Sequence, residues 1–499
     1  MRRIFVWAMT FAATLSASRT GAQQATEPPP LPADPVLAEL PPDEGAPGPL
    51  EDVGPSPGAV TLGLSEAVRM ALEGNFSLLT AAESVESARL RYQASRAQFY
   101  PQLTPRYVRG ENEQALTLDA RQRLPWTGGS LTATSALRSR PDDPVPSTRT
   151  ADLDLTLTQP LLRGAGPNAT FFDLRNSRRL RISQERALEL ARQRVAVEVA
   201  RAFYQVLQQR LLLAVARQSL ARSEGLLKAS EARLAVGLVS KLDVFRAQLQ
   251  AAQTSETMVR SEAALQDALE QFRALLGRSP SDPLEPQSTR LSGDVTDLLE
   301  PLEVLVERAR QQRLDLHETR DQIDDARRSA ALARQDLLPQ LDLNLGVLRT
   351  GQGPGFGSAW RAGDTRVNLF LTTSYPLEST SRSVNKAVAD IEVNARRRAL
   401  QQHEWDVESE VRSAVRDLDQ IRKSVELQQT AVAVAEQQLR LATLRYQRGL
   451  ASNFDVVEAE GNLVLARSAL VGLLTRHQVG LVDLRRVTGS LDVDAEFAP

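Results

Sequence analysis

The chain of 499 residues has no cysteine. This excludes a disulfide framework, thiolate metal sites, a cysteine nucleophile and an N-terminal lipidated cysteine. Lysine occurs only at Lys228, Lys241, Lys386 and Lys423, so arginine carries nearly all the positive charge, and the formal net charge of -2 gives no sign of a nucleic-acid partner. The three histidines, His317, His403 and His477, are scattered, and His403-Glu404 lacks the second histidine of a zinc-binding helix pair. No metal site, cofactor or catalytic constellation is expected, and the chain does not read as an enzyme. No window approaches 18 apolar residues, so a transmembrane helix is not expected in the mature chain. Glycine and proline are both missing from Leu377 to Arg448, a stretch that nothing in its composition would interrupt as a helix.

What that stretch does contain is a heptad seam. Val411, Leu418, Val425, Val432, Leu439 and Tyr446 recur every seven residues, with Ala414, Ile421, Gln428, Ala435 and Ala442 three places on. Moved back by 212 positions the seam returns as Val199, Val206, Leu213, Leu220, Leu227 and Leu234. Six apolar matches at one offset mark an internal duplication. Each copy ends in a related tip. The first reads Arg233-Leu-Ala-Val-Gly237-Leu238-Val239-Ser240-Lys-Leu-Asp243-Val244, the second Arg445-Tyr-Gln-Arg-Gly449-Leu450-Ala451-Ser452-Asn-Phe-Asp455-Val456. The glycine ends one helix and Ser-x-x-Asp starts the next. Each tip is thus a hairpin between two helices, the first of them about 100 Å long at 1.5 Å per residue.

Met1 to Ala22 reads as a signal peptide, with Arg2 and Arg3 before an apolar core and Thr20-Gly-Ala22 as the cleavage site. Residues 23–60 form a Pro-rich stretch expected to be a disordered linker. The first repeat is placed at 61–276, a Pro- and Ser-rich connector at 277–300, the second repeat at 301–491 and a tail at 492–499. Thr61 to Gln98 and Leu302 to Asp336 keep helical spacing and end at Pro101 and Pro339. The period then switches to 2, giving strands at about 102–159 and about 340–375. The expected order in each repeat is helix, strand, strand, very long helix, tip, helix, or about four strands per chain. Leu116 to Leu137 is a surplus of about 22 residues in the first repeat and reads as an added hairpin around Pro125-Trp-Thr-Gly-Gly129. Gly351-Gln-Gly353-Pro-Gly355-Phe-Gly357 has the glycine count of a phosphate loop, but it lies between strands with no helix expected to follow, and reads as a hairpin tip. Trp126, Trp360, Tyr107 and Tyr375 fall near strand ends, as an aromatic girdle or as ordinary loop packing.

So few strands, polar on one face and apolar on the other, do not stand alone. They suit either small domains on a soluble periplasmic coiled coil or scaffold, or a barrel closed by oligomerisation, with Asp152, Asp154, Asp342 and Asn344 facing a wet lumen. Three chains of four strands would make twelve.

The duplication, Leu338-Pro339, Gln159-Pro160-Leu161-Leu162-Arg163-Gly164 and the two Gly-Leu-x-Ser-x-x-Asp-Val tips together resemble the TolC family of bacterial outer-membrane efflux proteins, from about Thr61 to Leu491. The resemblance implies an α+β homotrimer in the outer membrane of a Gram-negative bacterium. It would be a twelve-stranded β-barrel, in contact with outer-membrane lipid, continued by a long periplasmic α-helical barrel. It implies a passive exit duct that docks a periplasmic adaptor and an inner-membrane pump or ABC transporter, in efflux or in type I secretion. The tips Gly237, Leu238, Val239, Ser240, Gly449, Leu450, Ala451 and Ser452 are the expected docking surface. Asp455 and Glu458 correspond to an acidic periplasmic constriction, and Asp243 and Tyr446 to positions that tie neighbouring hairpins shut; the arginine that helps this lock in some members is Ala451 here. A periplasmic adaptor is the competing reading, but an adaptor carries one hairpin between split lipoyl-like halves, not two hairpins with strands inside each repeat.

Overall fold

The computed structural model describes residues 54–111, 113–139, 149–288 and 300–497. The signal peptide expected at 1–22, most of the linker at 23–60 and the connector from 289 to 299 lie outside the described residues. Strand β1 (Val60–Leu62) leads into α1 (Leu64–Gly74) and α2 (Phe76–Ala97). Four strands follow: β2 (Gln102–Arg109), β3 (Gln114–Arg123), β4 (Ser130–Ser139) and β5 (Arg149–Pro160). The short α3 (Gly166–Thr170) precedes α4 (Phe172–Ala235), and α5 (Lys241–Leu275) returns along it. Then come β6 (Leu284–Pro286), α6 (Leu302–Gln312), α7 (Leu314–Gln335), β7 (Gln340–Gly353), α8 (Phe356–Ala362), β8 (Asp364–Ser374), α9 (Thr380–Gln447), α10 (Asn453–Val487) and α11 (Val493–Glu496). Among the described residues no helix is long and apolar enough to cross a membrane.

The helices pair by length. α1 and α6 have 11 residues each, α2 and α7 have 22, α5 and α10 have 35. α4 and α9, with 64 and 68 residues, are the two long struts, each roughly 100 Å at 1.5 Å per residue. The heptad seam holds them: Val199, Val206 and Leu213 on α4 and Val411, Leu418, Val425, Leu439 and Tyr446 on α9 are buried. α5 packs on α4, α4 on α10 and α10 on α9, so α5 and α9 are the edges of this layer. Nearer the sheet α2 takes the place of α5 along α4, and α7 that of α10 along α9.

Each strut is thus flanked by two shorter helices stacked end to end. The sequence suggested one helix over Thr61 to Gln98 and one over Leu302 to Asp336; both break after a single short helix, because Asn75 and Arg313 leave the helical region at ψ 122°. Asn75 caps α2 through its carboxamide oxygen, which accepts from the Ser77 amide, and its Nδ2 donates to the Leu275 carbonyl that ends α5. At the equivalent junction Arg313 donates to the Val487 carbonyl that ends α10. Gly277 sits so close to the first break that a Cβ there would stand 2.0 Å from the Gly74 carbonyl oxygen.

The large sheet has the order β2-β3-β4-β5-β7-β8, all antiparallel neighbours. It has six strands where about four were expected. The two more are β3 and β4, the surplus hairpin, which enters the sheet because it carries the same period-2 pattern as its neighbours. One face of the sheet carries Leu103, Leu118, Leu155, Leu345, Val367 and Leu369, all exposed in the protomer. The other carries Asp119, Thr134, Asp152, Asp154 and Asn344, joined in part by Thr134 donating to Asp119 at 2.8 Å and Thr158 to Asn344 at 2.9 Å; Val108, Leu348 and Phe370 are exceptions on this face. The edge strands β2 and β8 are exposed along their whole lengths. A helix does follow the glycine-rich run, contrary to expectation: α8 starts at Phe356 and folds back on β7, where its Ala359 carbonyl lies against Gly351 so closely that no side chain fits. Trp126 and Tyr375 stand at the helix end of the sheet, Tyr107 and Trp360 toward the other.

The sequence missed β1 and β6, whose three residues each are too few to show a period. They pair in parallel, Val60 beside Leu284 and Leu62 beside Pro286. This places Glu285 (3% exposed) against Arg210 (1% exposed) at 2.5 Å, with the Ser56 amide also donating to its carboxylate at 3.2 Å. Burial alone would raise the Glu285 carboxyl, but the Ser56 hydrogen bonds and the Arg210 guanidinium outweigh it and hold the group below its ordinary value. Its charge therefore stabilises the fold above the unfolded carboxylate pKa of about 4.3, and that contribution is lost as pH falls through the lower folded value. Glu285→Gln removes one charge of this buried ion pair and is expected to cost about 3–5 kcal/mol at neutral pH, read as a lower denaturant midpoint by circular dichroism. The variant should also lack the part of the wild-type acid destabilisation that this carboxylate causes.

Candidate functional site at the hairpin tips

At the end of α4 the Gly237 amide donates to the Leu234 carbonyl and the Leu238 amide to Arg233, with Gly237 at φ 75°. At the end of α9 the Gly449 amide donates to Tyr446 and the Leu450 amide to Arg445, with Gly449 at φ 74°. This paired closure by a left-handed glycine turns the chain through a tight angle and leaves the last carbonyls satisfied. Nothing lies within 4 Å of where a Cβ would stand on either glycine. Leu238 (74% exposed) and Leu450 (68% exposed) project from the tips beside them, Ser240 and Ser452 are exposed, and Val239 and Ala451 are half-buried.

Both serines cap the returning helices. The Ser240 amide and hydroxyl donate to the Asp243 carboxylate at 3.1 and 2.9 Å, and the Asp243 amide donates back to Ser240 Oγ at 3.3 Å. The Ser452 amide and hydroxyl donate to Asp455 at 2.8 and 3.2 Å. Asp243 also faces Arg246 at 3.8 Å. The first tip acid is thus neutralised by its own helix, whereas the second tip has Glu458 at the place of Arg246. Asp455 and Glu458 are both exposed one turn apart on α10.

The two tips are tied to each other through Tyr446 and Asp243, whose partners Ser230, Arg233 and Asn453 were not singled out for this role from the sequence. Tyr446 is buried, and its hydroxyl lies 3.0 Å from Ser230 Oγ. The Arg233 guanidinium stacks 4.3 Å from the Tyr446 ring centroid and donates to the Tyr446 and Gln447 carbonyls at 2.8 and 3.1 Å. Buried Asn453 donates through Nδ2 to the Asp243 carbonyl. Within the protomer Tyr446 and the Asp243 carbonyl thus contact the opposite hairpin through Ser230, Arg233 and Asn453. Farther along, Arg222 pairs with Glu460 at 2.9 Å, and Arg467 donates to Gln218 and pairs with Glu436, both at 2.7 Å. Arg233 stood in the repeated tip, aligned with Arg445, so the signal was present; which of the two arginines folds back on a ring is a matter of packing. The histidines lie apart: His317 meets the Gln311 carbonyl, His403 meets Thr319 and Asp315, and His477 is buried in α10.

Comparison with known proteins agrees with this architecture. Residues 67–278 and 305–490 match the family model described as outer membrane efflux protein. The probable efflux pump outer membrane protein TtgC of Pseudomonas putida is 23% identical over 434 residues, covering 85% of this chain and 82% of that protein. The outer membrane protein TolC of Vibrio cholerae is 25% identical over 310 residues, covering 60% of this chain and 68% of that protein. Among solved structures, CusC superposes with a TM-score of 0.67 at 20% identity, over 87% of this chain and 93% of that one. Two matched stretches that take in both hairpins and most of the sheet show that the chain belongs to the outer membrane efflux protein family, as an outer-membrane channel with a long periplasmic helical part.

Proposed function

We propose that the chain is the passive exit duct of a tripartite efflux pump or a type I secretion system, working as a homotrimer. The observation that carries this is the pair of open edges in both layers. β2 and β8 are unpaired on their outer sides, and the helices continuous with them, α2 and α9, lie on the same two sides. Exposed apolar residues mark the helical edges as well: Leu427, Val434 and Leu441 at heptad spacing on α9, and Leu242, Phe245 and Leu249 on α5. An edge of one kind facing an edge of another makes a head-to-tail contact, which forms a ring where its rotation closes, at 120° for three chains. The apolar sheet face then meets lipid and the Asp- and Thr-rich face lines the duct. The fourfold set of helix stacks per chain and the matched helix lengths of the two repeats fit the duplicated helical barrel of the family. Purified from the outer-membrane fraction, the protein is expected to have three times the chain mass in native mass measurement and to conduct in planar bilayers. A monomer from the soluble periplasm would refute the duct.

The tips are the proposed docking surface for the periplasmic adaptor, which in turn joins the inner-membrane pump or ABC transporter. The open space over Gly237 and Gly449 leaves backbone uncovered beside Leu238 and Leu450, a small groove beside an apolar knob. A Cβ at Gly449 has nothing within 4 Å, so the cost expected for Gly449→Trp is mainly the left-handed strain of about 1–2 kcal/mol. It is expected to leave the trimer intact and abolish co-purification with the cognate adaptor; loss of the trimer instead would make the glycine structural only.

Asp455 and Glu458 are the proposed throat. Under threefold symmetry they become two stacked rings of carboxylates that draw cations to the mouth. Asp455→Asn with Glu458→Gln keeps size and leaves a side chain able to cap α10. The double variant should lose cation preference and block by multivalent cations at low ionic strength, where screening is weak. Single-channel reversal potentials measure it, and an unchanged preference would move the throat elsewhere.

A further inference from the structure

The added hairpin does not project from the rim of the sheet. Its register spans the whole height: Gln102 faces Arg121 and Arg123 faces Ser130 at the helix end, while Arg109 faces Gln114 and Ser139 faces Arg149 at the far end. It also separates β2 from β5, so the edge strand reaches the rest of the sheet only through it. Both faces run across it without a break. Ala120 and Ala133 stand in one row with Leu103, Leu155 and Val347, and Asp119 and Thr134 in the neighbouring row with Asp154.

Its turn is seated where sheet meets helices. The Trp126 ring stands edge-on to Phe171 at 5.1 Å, and Phe171 lies 5.4 Å from Phe99, so the turn is clasped between the end of α2 and the start of α4. The Thr127 carbonyl accepts from the Gly166 amide and from Gln159 Nε2, both at 3.1 Å. Gly128, at φ 80°, would put a Cβ 2.5 Å from the Gly164 carbonyl oxygen. A rim decoration needs none of these contacts.

We infer that β3 and β4 are wall strands, so that the duct is an eighteen-stranded barrel, six strands from each of three chains. This rests on the trimeric duct proposed above. Barrel diameter grows roughly in proportion to strand number, so at equal tilt the barrel is about 1.5 times as wide, and about 2.25 times as large in cross-section, as a twelve-stranded one. Strands spaced 4.7–4.9 Å and tilted about 40° give a circumference of roughly 110 Å for eighteen and roughly 75 Å for twelve. Twelve helices at 8–10 Å spacing also give roughly 110 Å. The eighteen-stranded wall therefore meets the helical barrel without a taper. The membrane stage is sized for cargo of larger cross-section than a twelve-stranded wall passes, and the limit on cargo size falls to the periplasmic tips.

The absence of cysteine makes the test direct. Single variants Leu118→Cys on β3, Leu155→Cys on β5 and Thr134→Cys on β4 are spin-labelled in the full-length trimer in bilayers, and collision with oxygen and with a water-soluble nickel chelate is compared. Leu118 and Leu155 labels should both favour oxygen, and the Thr134 label should favour nickel. If only the Leu155 label meets lipid, the hairpin is not wall and this inference fails while the duct stands; if neither does, the duct itself fails. A variant lacking 114–139 keeps the direction of β2 beside β5. Its barrel should appear about one third narrower in end-on electron-microscopy averages, and an unchanged diameter would overturn the inference.

Discussion

A strand in hydrocarbon has no water to satisfy its amide and carbonyl groups, so each edge must find another strand. That requirement shapes the whole protomer. β2 and β8 are open along their lengths, one sheet face is apolar and exposed, and among the described residues no other part covers either. Because α2 runs directly into β2 and β8 directly into α9, the helical layer inherits the same two open sides. In the proposed homotrimer its apolar edge residues have the same partner as the strand edges, a further copy of the chain.

The helices answer a different constraint. Struts of 64 and 68 residues stand only if their apolar stripes are covered throughout, and a single shorter partner does not reach. Two stacked helices cover each strut, and the stack needs a joint. The joint is built twice with different side chains, Asn75 to the end of α5 and Arg313 to the end of α10. The same geometry from different residues indicates that the constraint lies in closing the backbone at a helix break, and that the side chain used for it is free to vary.

At the tips one carboxylate position serves two ends. Asp243 and Asp455 both bond back to the serine that starts their helix, which any helix start rewards. What separates the second tip is its neighbour: Arg246 faces Asp243, while Glu458 stands in that place beside Asp455 and leaves the charge uncompensated. The tie between hairpins is carried by other groups, Arg233 on the Tyr446 ring and Asn453 on the Asp243 carbonyl, so the acidic pair of the second tip and the cohesion of the tips are carried by separate residues.

Sequence alone determined what depends on local pattern: the heptad seam, the glycine and Ser-x-x-Asp tips, the alternation of the strands, and the two faces that put Asp152, Asp154 and Asn344 on one side. These were legible because helix and strand periods repeat over many residues. It did not determine the breaks at Asn75 and Arg313, which a run of good helix formers conceals, nor the three-residue pair β1 and β6, nor the short helix after Gly355. Nor did it decide whether the surplus hairpin widened the sheet or extended its rim, since both carry the same alternation. Only the tertiary structure decided these, because the pairing of β1 with β6, the buried pair of Arg210 with Glu285 and the stacking of Arg233 on Tyr446 each join residues at least 75 positions apart, and no local period records such a meeting.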